Sequence, residues 1–291
     1  MSSATILDVP LRFANFDEGR AIIATSDFYT QNLTDFDRRA KTRRLDHVNE
    51  ADYLCNCARF VRAWSIAERN YLSELARHAD LRLRELELNI KLPDEIVLIK
   101  TTGEEEGGAN GYTRRNAIYL NQGSLSPNLF VHELFHIISR YNETRIREVY
   151  ALLGFKPCNL ITYDDPLRIT NPDAPYLRYY LTVQITDGPV DVVMIMRASR
   201  PYSGGSFFKY YQKMLLVVEG EDDAKKVALR NGRPWLLGHS DPFNLYAYIG
   251  RSTDYNIHQE EISAVHFEML MLGIPRWVDQ KPIHNLADAL R

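Results

Sequence analysis

Long apolar segments are absent from this chain. The longest apolar runs, such as Val192 to Met196 and Met214 to Val218, are far shorter than the roughly 18 residues of a membrane-spanning helix. The amino-terminal stretch MSSATILDVPLRF has neither the basic start nor the apolar segment of a signal peptide. We therefore expect no membrane span and, by default, a cytoplasmic location. Secretion stays open if a leader was removed.

Cysteine is also scarce, since the chain contains only Cys55, Cys57 and Cys158. An odd, small number of cysteines in a chain of 291 residues does not form a disulfide framework. Cys55 and Cys57 lie two positions apart in a stretch predicted to be helical. Their side chains would point about 200° apart, so they cannot chelate one ion together. We expect both to be packed as small apolar residues.

No excess of one charge marks the chain, because 35 Lys and Arg oppose 38 Asp and Glu for a net charge of −3. The most basic run, Asp37 to Arg44, contains no aromatic residue and lies near no nucleic-acid motif. The acidic run Glu104 to Glu106 lacks the spaced oxygen ligands of a calcium loop. Both runs are predicted to be solvated, and no nucleic-acid partner is expected.

What the chain does have is regular patterning that divides it into two parts. Apolar residues recur at helical spacing between Asn49 and Glu87, with charged residues in the gaps. Residues 1–95 are predicted to be mostly helical and to form an N-terminal helical subdomain. Residues 96–291 are predicted to form the main domain, because a chain of this length suits one large domain with an appended subdomain.

Within the main domain the sequence predicts a mixture of strands and helices. Short strands are predicted at 96–101 and 116–123, and a helix follows with Ser126 as N-cap and Pro127 at its first position. From about residue 157 to 238 the chain is rich in aromatic and β-branched residues separated by turn sequences. The remainder is predicted to be helical again, so the expected fold class is α+β.

The helix after Pro127 contains the pattern His132-Glu133-x-x-His136. Positions i and i+4 share one helix face, so both imidazoles can reach one ion, and zinc prefers such nitrogen ligands. Glu133 lies at the edge of that face, where it could take a proton from water. The alternative is two core histidines that share a face by chance, and each ring would then need its own buried partner.

Two histidines do not complete a catalytic zinc site, which usually has three protein ligands and a water. A third histidine six residues after His136 is excluded, because position 142 is Asn, and no histidine follows before His239. The remaining source is a carboxylate on a later helix. The segment His258 to Leu270 is predicted to be that helix, and it offers Glu260 and Glu261.

These motifs resemble the gluzincin clan of zinc metallopeptidases, in which one helix supplies two histidines and a second supplies a glutamate. Glu261-Ile262-Ser263-Ala264 matches the Glu-x-x-Ala core of several bacterial members, and Tyr112-Thr113-Arg114 resembles the lead-in of uncharacterised bacterial putative metallopeptidases. The resemblance implies a zincin-like core and one Zn²⁺ per chain, bound by His132, His136 and Glu261. It favours Glu261 over Glu260 as the third ligand.

The chain departs from the gluzincin pattern in two ways. Many members carry an Asp four residues after the glutamate to orient a zinc histidine, and here that residue is Val265. The long interval between His136 and Glu261 also requires the β-rich segment, about 157–238, to be an insertion between the two ligand helices. We expect the orienting group to come from another side chain or from a backbone carbonyl.

The resemblance implies hydrolysis of a peptide bond with Glu133 as the general base. A donor for the developing oxyanion is needed, and Tyr255 and His258, just before the second helix, are the candidates. The strand Ala117 to Asn121 is either an edge strand that pairs with an extended substrate or an ordinary internal strand. The partner is expected to be a peptide or protein substrate, and the oligomeric state stays open.

Two other functions use the same residues. One is a zinc-bearing binding or scaffold protein whose site is closed or inactive, which the Val265 departure leaves possible. The other is a zinc hydrolase that acts on a non-peptide bond. Resemblance at the level of a fold indicates a site better than it indicates a substrate.

Overall fold

A computed structural model of the chain describes residues 4–275 and 278–291. Helices and strands occur in separate runs along the chain, so the fold class is α+β. The helices are α1 (Phe16–Ile23), α2 (Phe28–Gln31), α3 (Asp35–Thr42), α4 (Glu50–Ala58), α5 (Ile66–Glu85), α6 (Pro127–Tyr141), α7 (Glu143–Leu152), α8 (Leu245–Ile249), α9 (Gln259–Leu272) and α10 (Lys281–Leu290). Short 3-10 helices occur at Glu104–Glu106 and Phe207–Lys209.

The strands belong to a first, mixed sheet, a second, antiparallel sheet, and a small two-stranded ribbon. They are β1 (Thr5–Ile6), β2 (Val9–Phe13), β3 (Val61–Arg62), β4 (Ile96–Thr101), β5 (Gly111–Arg114), β6 (Ala117–Asn121), β7 (Lys156–Pro157), β8 (Arg168–Ile169), β9 (Tyr179–Ile185), β10 (Gly188–Ala198), β11 (Tyr211–Glu219), β12 (Lys226–Val227), β13 (Leu229–Arg230), β14 (Arg233–Pro234) and β15 (Leu236–Gly238).

The first sheet has the order β1-β2-β4-β6-β5, with β3 paired to β4. Strands β2, β4 and β6 run parallel, while β5 runs antiparallel to β6, with Thr113 opposite Ile118. The strand β6 therefore lies inside the sheet, and its alternative role as an edge strand is wrong. The edge next to α6 is formed by β5, where the sequence predicted no strand.

Residues on both sides of position 95 contribute to this sheet. Although the N-terminal segment is rich in helices, its strand β2 pairs with β4 through Leu11 and Ile96. Ile6, Leu11 and Trp64 also belong to the same apolar core as residues of α6 and α9. The N-terminal segment thus shares a sheet and an apolar core with the rest of the chain.

The second sheet confirms the predicted β-rich character of the segment from about 157 to 238. Its order is β12-β11-β10-β9-β7, with β15 paired to β11 and β8 paired to β10. Alternating side chains of β9, β10 and β11 bury two faces, one toward the main core and one toward a separate cluster around Tyr163 and Val193. Residues 199–210, which connect β10 to β11, lie at the end of the sheet that adjoins α3.

Helices α6 and α9 pack against each other, and α6 also contacts β5 and β6 of the first sheet. Ser126 caps α6 by accepting from the Leu129 N–H, and Pro127 occupies the first turn, where no backbone donor is required. The rings of Phe135 and Phe267 lie 5.4 Å apart at the contact between the helices. Within residues 4–275 and 278–291, no helix is both long enough and apolar enough to cross a membrane.

The two charged runs that were predicted to be solvated meet in the interior, and for their key residues that prediction is wrong. Lys41 of the basic run lies 2.6 Å from Glu106 of the acidic run, and both side chains are buried. Glu106 also accepts hydrogen bonds from the phenols of Tyr29 and Tyr53. Glu105 is fully buried as well. Lys41 and Glu106 are each stabilised by a partner far away in the sequence, which a local charge pattern cannot reveal.

Candidate metal centre

Helix α6 places His132 and His136 one turn apart on the face that meets α9. Their ring centroids are 4.8 Å apart, and both Nε2 atoms face the same carboxylate oxygen of Glu261. The distances from Glu261 Oε2 are 3.0 Å to His132 Nε2 and 3.6 Å to His136 Nε2. One donor atom of each of the three residues therefore lies within 4.8 Å of the other two. The three predicted ligands are brought together.

Glu261 is buried and held in one orientation. Its other oxygen, Oε1, accepts a hydrogen bond from Nδ2 of Asn171, which lies between β8 and β9. That bond directs Oε2 toward the two imidazoles. A carboxylate fixed in this way offers a single oxygen to an ion.

Glu260 occupies a different position from Glu261, because successive residues on a helix point about 100° apart. Its Oε1 lies 2.7 Å from Nδ1 of His136, on the side of the ring that faces away from Glu261. The hydroxyl groups of Ser139 and Tyr150 donate hydrogen bonds to the same carboxylate. Glu260 thus orients a histidine, while Glu261 faces both Nε2 atoms.

Glu268 has the corresponding role for His132. Its Oε1 lies 2.7 Å from His132 Nδ1, and its Oε2 accepts from Asn128 Nδ2. The orienting group that Val265 does not supply therefore comes from Glu260 and Glu268. When Nδ1–H donates to a carboxylate, the Nε2 lone pair of a neutral imidazole is free to bind an ion.

The charges of this cluster suit a cation. Burial lowers the pKa of His132, but hydrogen bonds to Glu261 and Glu268 outweigh burial and raise it to about 10. Burial likewise lowers the pKa of His136, but the negative charges of Asp173 and Glu261 outweigh it and raise that pKa well above the usual value. The carboxylates thus stabilise positive charge at the two imidazoles. A cation bound at the Nε2 atoms would supply that charge in place of protons.

Glu133 lies beside the cluster with its carboxylate almost completely buried. Within the described ranges its Oε2 has no hydrogen-bond partner, and the same is true of His136 Nε2. Burial raises the pKa of Glu133, and the negative charge of Asp173 raises it further. A buried acceptor without a partner is unusual, since burying a polar group without a hydrogen bond is costly. Glu133 Oε2 is therefore available to a group that enters the site.

Asp173 is a second carboxylate near Glu133 and His136 that the sequence did not reveal. Single donor atoms of these three residues also lie within 4.8 Å of one another. Asp173 Oδ1 accepts from the backbone N–H of Thr113 at 2.6 Å and from its hydroxyl at 2.9 Å. Arg140, one turn after His136, donates to the Thr113 hydroxyl and to the Asp173 carbonyl. The loop after β8 is thereby fastened to the edge strand β5.

A cavity of about 720 Å³ opens onto the cluster and is lined by both His132 and Glu133. Tyr255 lines it too, with its ring centroid 6.0 Å from that of His132. His258 does not line this cavity. It caps α9 instead, because its Nδ1 accepts from the Glu260 N–H at 3.2 Å. Of the two predicted oxyanion donors, the structure brings Tyr255 to the cavity and uses His258 as a helix cap.

Tyr211, at the start of β11, is a further residue of this cavity that the sequence did not single out. Its hydroxyl is buried and has no partner in the part of the chain that the structure describes. With 17 tyrosines in the chain, nothing in the local sequence distinguishes it. Glu268 could have been found, because it lies seven residues after Glu261 and so on the same helix face. Asn171 and Asp173 carry no comparable signal.

Comparison with models of known protein families, with curated proteins and with solved structures finds no match. The donor set must therefore be judged by its own chemistry. Two imidazole nitrogens and one carboxylate oxygen, with orienting carboxylates behind the rings, are typical of zinc sites. The residues present fit such an ion, and they leave room at the cavity side for a fourth ligand from solvent or substrate.

Proposed function

We propose that this protein is a zinc-dependent peptidase of the gluzincin type with a zincin-like core. His132, His136 and Glu261 would hold one Zn²⁺ per chain, and Glu133 would act as general base. One observation carries the proposal: three donor atoms converge within 4.8 Å at a cavity that is also lined by Glu133. Core histidines packed by chance would also need buried partners, but their donor atoms would not have to converge with a third ligand beside a cavity lined by Glu133.

Bound zinc would supply Lewis-acid polarisation of a carbonyl and would lower the pKa of a water molecule. The unpartnered Oε2 of Glu133 is the acceptor available for the proton of an attacking water. Once Glu133 has accepted that proton, its carboxyl group would be the acid nearest the leaving group. Glu133 would then deliver the proton to the amine nitrogen that leaves.

Two phenols are placed to stabilise negative charge on the carbonyl oxygen. Tyr211 and Tyr255 both line the cavity. Burial raises the pKa of Tyr211 and the negative charge of Glu261 raises it further, so its hydroxyl remains a protonated donor, while Tyr255 is partly exposed to solvent. Preorganised donors of this kind typically contribute about 10²-fold to 10³-fold in kcat.

The edge strand β5 supports a peptide as the substrate. Ala109, Asn110 and Gly111 line the same cavity as His132 and Glu133. The backbone of Thr113 is already engaged by Asp173 and Arg140, and the carbonyls of Ala109 and Asn110 accept from Asn121. The residues of β5 that line the cavity are Gly111 and Tyr112. An extended peptide can pair with such an edge through its own backbone groups, whatever its side chains are.

A zinc-binding protein without catalytic activity is the second candidate, and Asp173 is the observation that favours it. Structural zinc sites have four protein ligands, and the Asp173 carboxylate lies close to His136. An Asp173 side chain that turned toward the ion would close the position needed for water. Asp173→Asn would then weaken zinc binding strongly, whereas in a peptidase it would chiefly alter the rate.

The test of the proposed function combines metal content with peptide cleavage. Purified protein is analysed for zinc, incubated with a broad peptide library, stripped with a chelator, and reloaded with one equivalent of Zn²⁺ or of Mg²⁺. We expect one zinc per chain, cleavage that the chelator abolishes, and recovery with Zn²⁺ alone. Cleavage that survives chelation, or a zinc-loaded protein that cleaves nothing, would defeat the proposal.

A further inference from the structure

The 199–210 connection between β10 and β11 brings two consecutive phenylalanines to the lining of the cavity. Phe207 is buried among Phe36, Tyr202 and Tyr210, and its ring lies 6.1 Å from that of Phe36. Phe208 has its own ring 5.5 Å from that of Phe207, yet its side chain is 59% exposed. Phe207 therefore anchors the connection, while Phe208 presents an apolar surface to the cavity.

The anchoring fixes Phe208 relative to the candidate catalytic groups. A methyl group at Gly107 would lie 2.9 Å from Phe207 Cγ, and one at Gly108 would lie 3.9 Å from Phe208 Cε2. The two rings thus contact the turn that leads into β5. Three residues further on, Gly111 abuts the Glu133 carboxylate. Three residues span at most about 10 Å of chain, so Phe208 lies only a few residues of extended substrate from the reacting bond.

One pair of opposite charges in the cavity lining is neutralised within the protein. Lys41 and Glu106 line the cavity but form a buried ion pair with each other. Lys213, also in the lining, donates to Asn256 and to the Asp254 carbonyl. Ile169 belongs to the apolar cluster of Phe207, Met196 packs against that cluster, and both residues line the cavity. Phe207, Phe208 and Met196 thus offer apolar contact to a substrate side chain.

We propose that Phe208, with Met196 and Phe207, forms a pocket that selects an aromatic or large aliphatic substrate side chain within about three residues of the scissile bond. This inference rests on the proposed peptidase function and adds the substrate class to it. Apolar burial supplies the affinity, because an exposed phenylalanine ring gains contact only when such a side chain covers it.

The test compares Phe208→Ala with Phe243→Ala. Phe243 is also a phenylalanine and is 73% exposed, but it lies outside the cavity lining, so it serves as a matched control. Peptides that differ only in one residue near the cleaved bond, Phe, Leu, Ala or Asp, are assayed for kcat/KM. Wild type and Phe243→Ala should prefer Phe and Leu over Ala about 10-fold to 100-fold, and Phe208→Ala should lose most of that preference. Equal preferences in the two variants would overturn the pocket.

Binding separates failure of the pocket from failure of the peptidase. Uncleavable analogues of the Phe and Asp peptides are titrated into each protein by calorimetry, with thermal unfolding as the check on folding. Tighter binding of the Phe analogue that is lost only in Phe208→Ala supports the pocket, even where no cleavage occurs and the peptidase proposal has failed. Equal binding of both analogues by wild type would overturn the pocket, even if cleavage were observed.

Discussion

The Nδ1 atom of His136 lies 2.7 Å from Oε1 of Glu260, and the Nε2 atom of the same ring lies 3.6 Å from Oε2 of the next residue, Glu261. Two consecutive glutamates on α9 therefore enclose His136 from opposite sides. A helix separates successive side chains by about 100°, which makes this arrangement possible. Glu260 orients the ring, and Glu261 is positioned to share an ion with it.

Replacing the two glutamates should have unequal effects on zinc binding. Glu261→Ala removes a proposed ligand and should abolish stoichiometric zinc. Glu260→Gln retains a polar group behind His136 and should weaken affinity by about 10-fold to 100-fold, as is usual for an orienting partner. Competition with a chromogenic zinc chelator measures both. A weaker effect for Glu261→Ala than for Glu260→Gln would transfer the ligand role to Glu260.

A substitution at Gly111 tests whether the rate of peptide cleavage depends on the position of Glu133. A methyl group there would lie 2.9 Å from Glu133 Oε1 and 3.0 Å from Leu129 Cδ1, so Gly111→Ala should displace the carboxylate. Misplacing a catalytic group by about 1 Å can cost about 10²-fold in rate. We expect kcat for peptide cleavage to fall about 10-fold to 100-fold while zinc content stays at that of wild type.

The control for Gly111→Ala is Gly123→Ala. Gly123 is exposed, and a methyl group there would meet only Asn121 Oδ1, at an ordinary 3.6 Å. This variant should retain wild-type kcat and zinc. If Gly111→Ala cleaved peptides as fast as Gly123→Ala, the close contact between β5 and Glu133 would not affect the catalytic rate.

Local patterning was sufficient to predict the first half of the candidate site. Helix α6, its cap and the shared face of His132 and His136 follow from periodicity within about fifteen residues. The nearness of Glu261 was predicted from a resemblance, and the structure brings it to the two imidazoles. Function and metal stay predictions, because nothing in the geometry measures cleavage or zinc.

The parts that could not be predicted depend on contacts between distant segments. Asn171 and Asp173 reach the site from a loop of the β-rich segment, and no periodicity marks them. No strand was predicted at β5, because its four residues are too few to show a periodic pattern. Lys41 was assigned to a solvated run, since its partner Glu106 lies 65 residues away.

Glu105 should make stability depend on pH. Burial raises the pKa of its carboxyl from the usual 4.5 to about 7. Between these values the unfolded chain releases the proton while the folded chain retains it. The contribution of this group to the free energy of unfolding is therefore fully present below about pH 4.5 and is lost as pH rises to about 7, by up to about 3 kcal/mol.

Urea unfolding at pH 5 and pH 8 measures this contribution. Glu105→Gln cannot ionise, so the decrease in stability between the two pH values should be smaller than in wild type. Glu104→Gln is the matched control, since Glu104 is the exposed neighbour in the same run, and it should behave as wild type does. The same pH dependence in all three proteins would mean that Glu105 is not protonated in the folded state.

The proposed peptidase is tested most directly by Glu133→Gln, compared with wild type at matched zinc content. The substitution keeps the shape of the side chain and removes its ability to accept the proton of water. Peptide-library cleavage is measured for both proteins, and loss of a general base typically costs about 10²-fold to 10⁴-fold in rate. We predict cleavage by wild type that falls by at least about 10²-fold in Glu133→Gln while bound zinc is unchanged. Equal cleavage by the two proteins, or cleavage by neither, would contradict the proposed function.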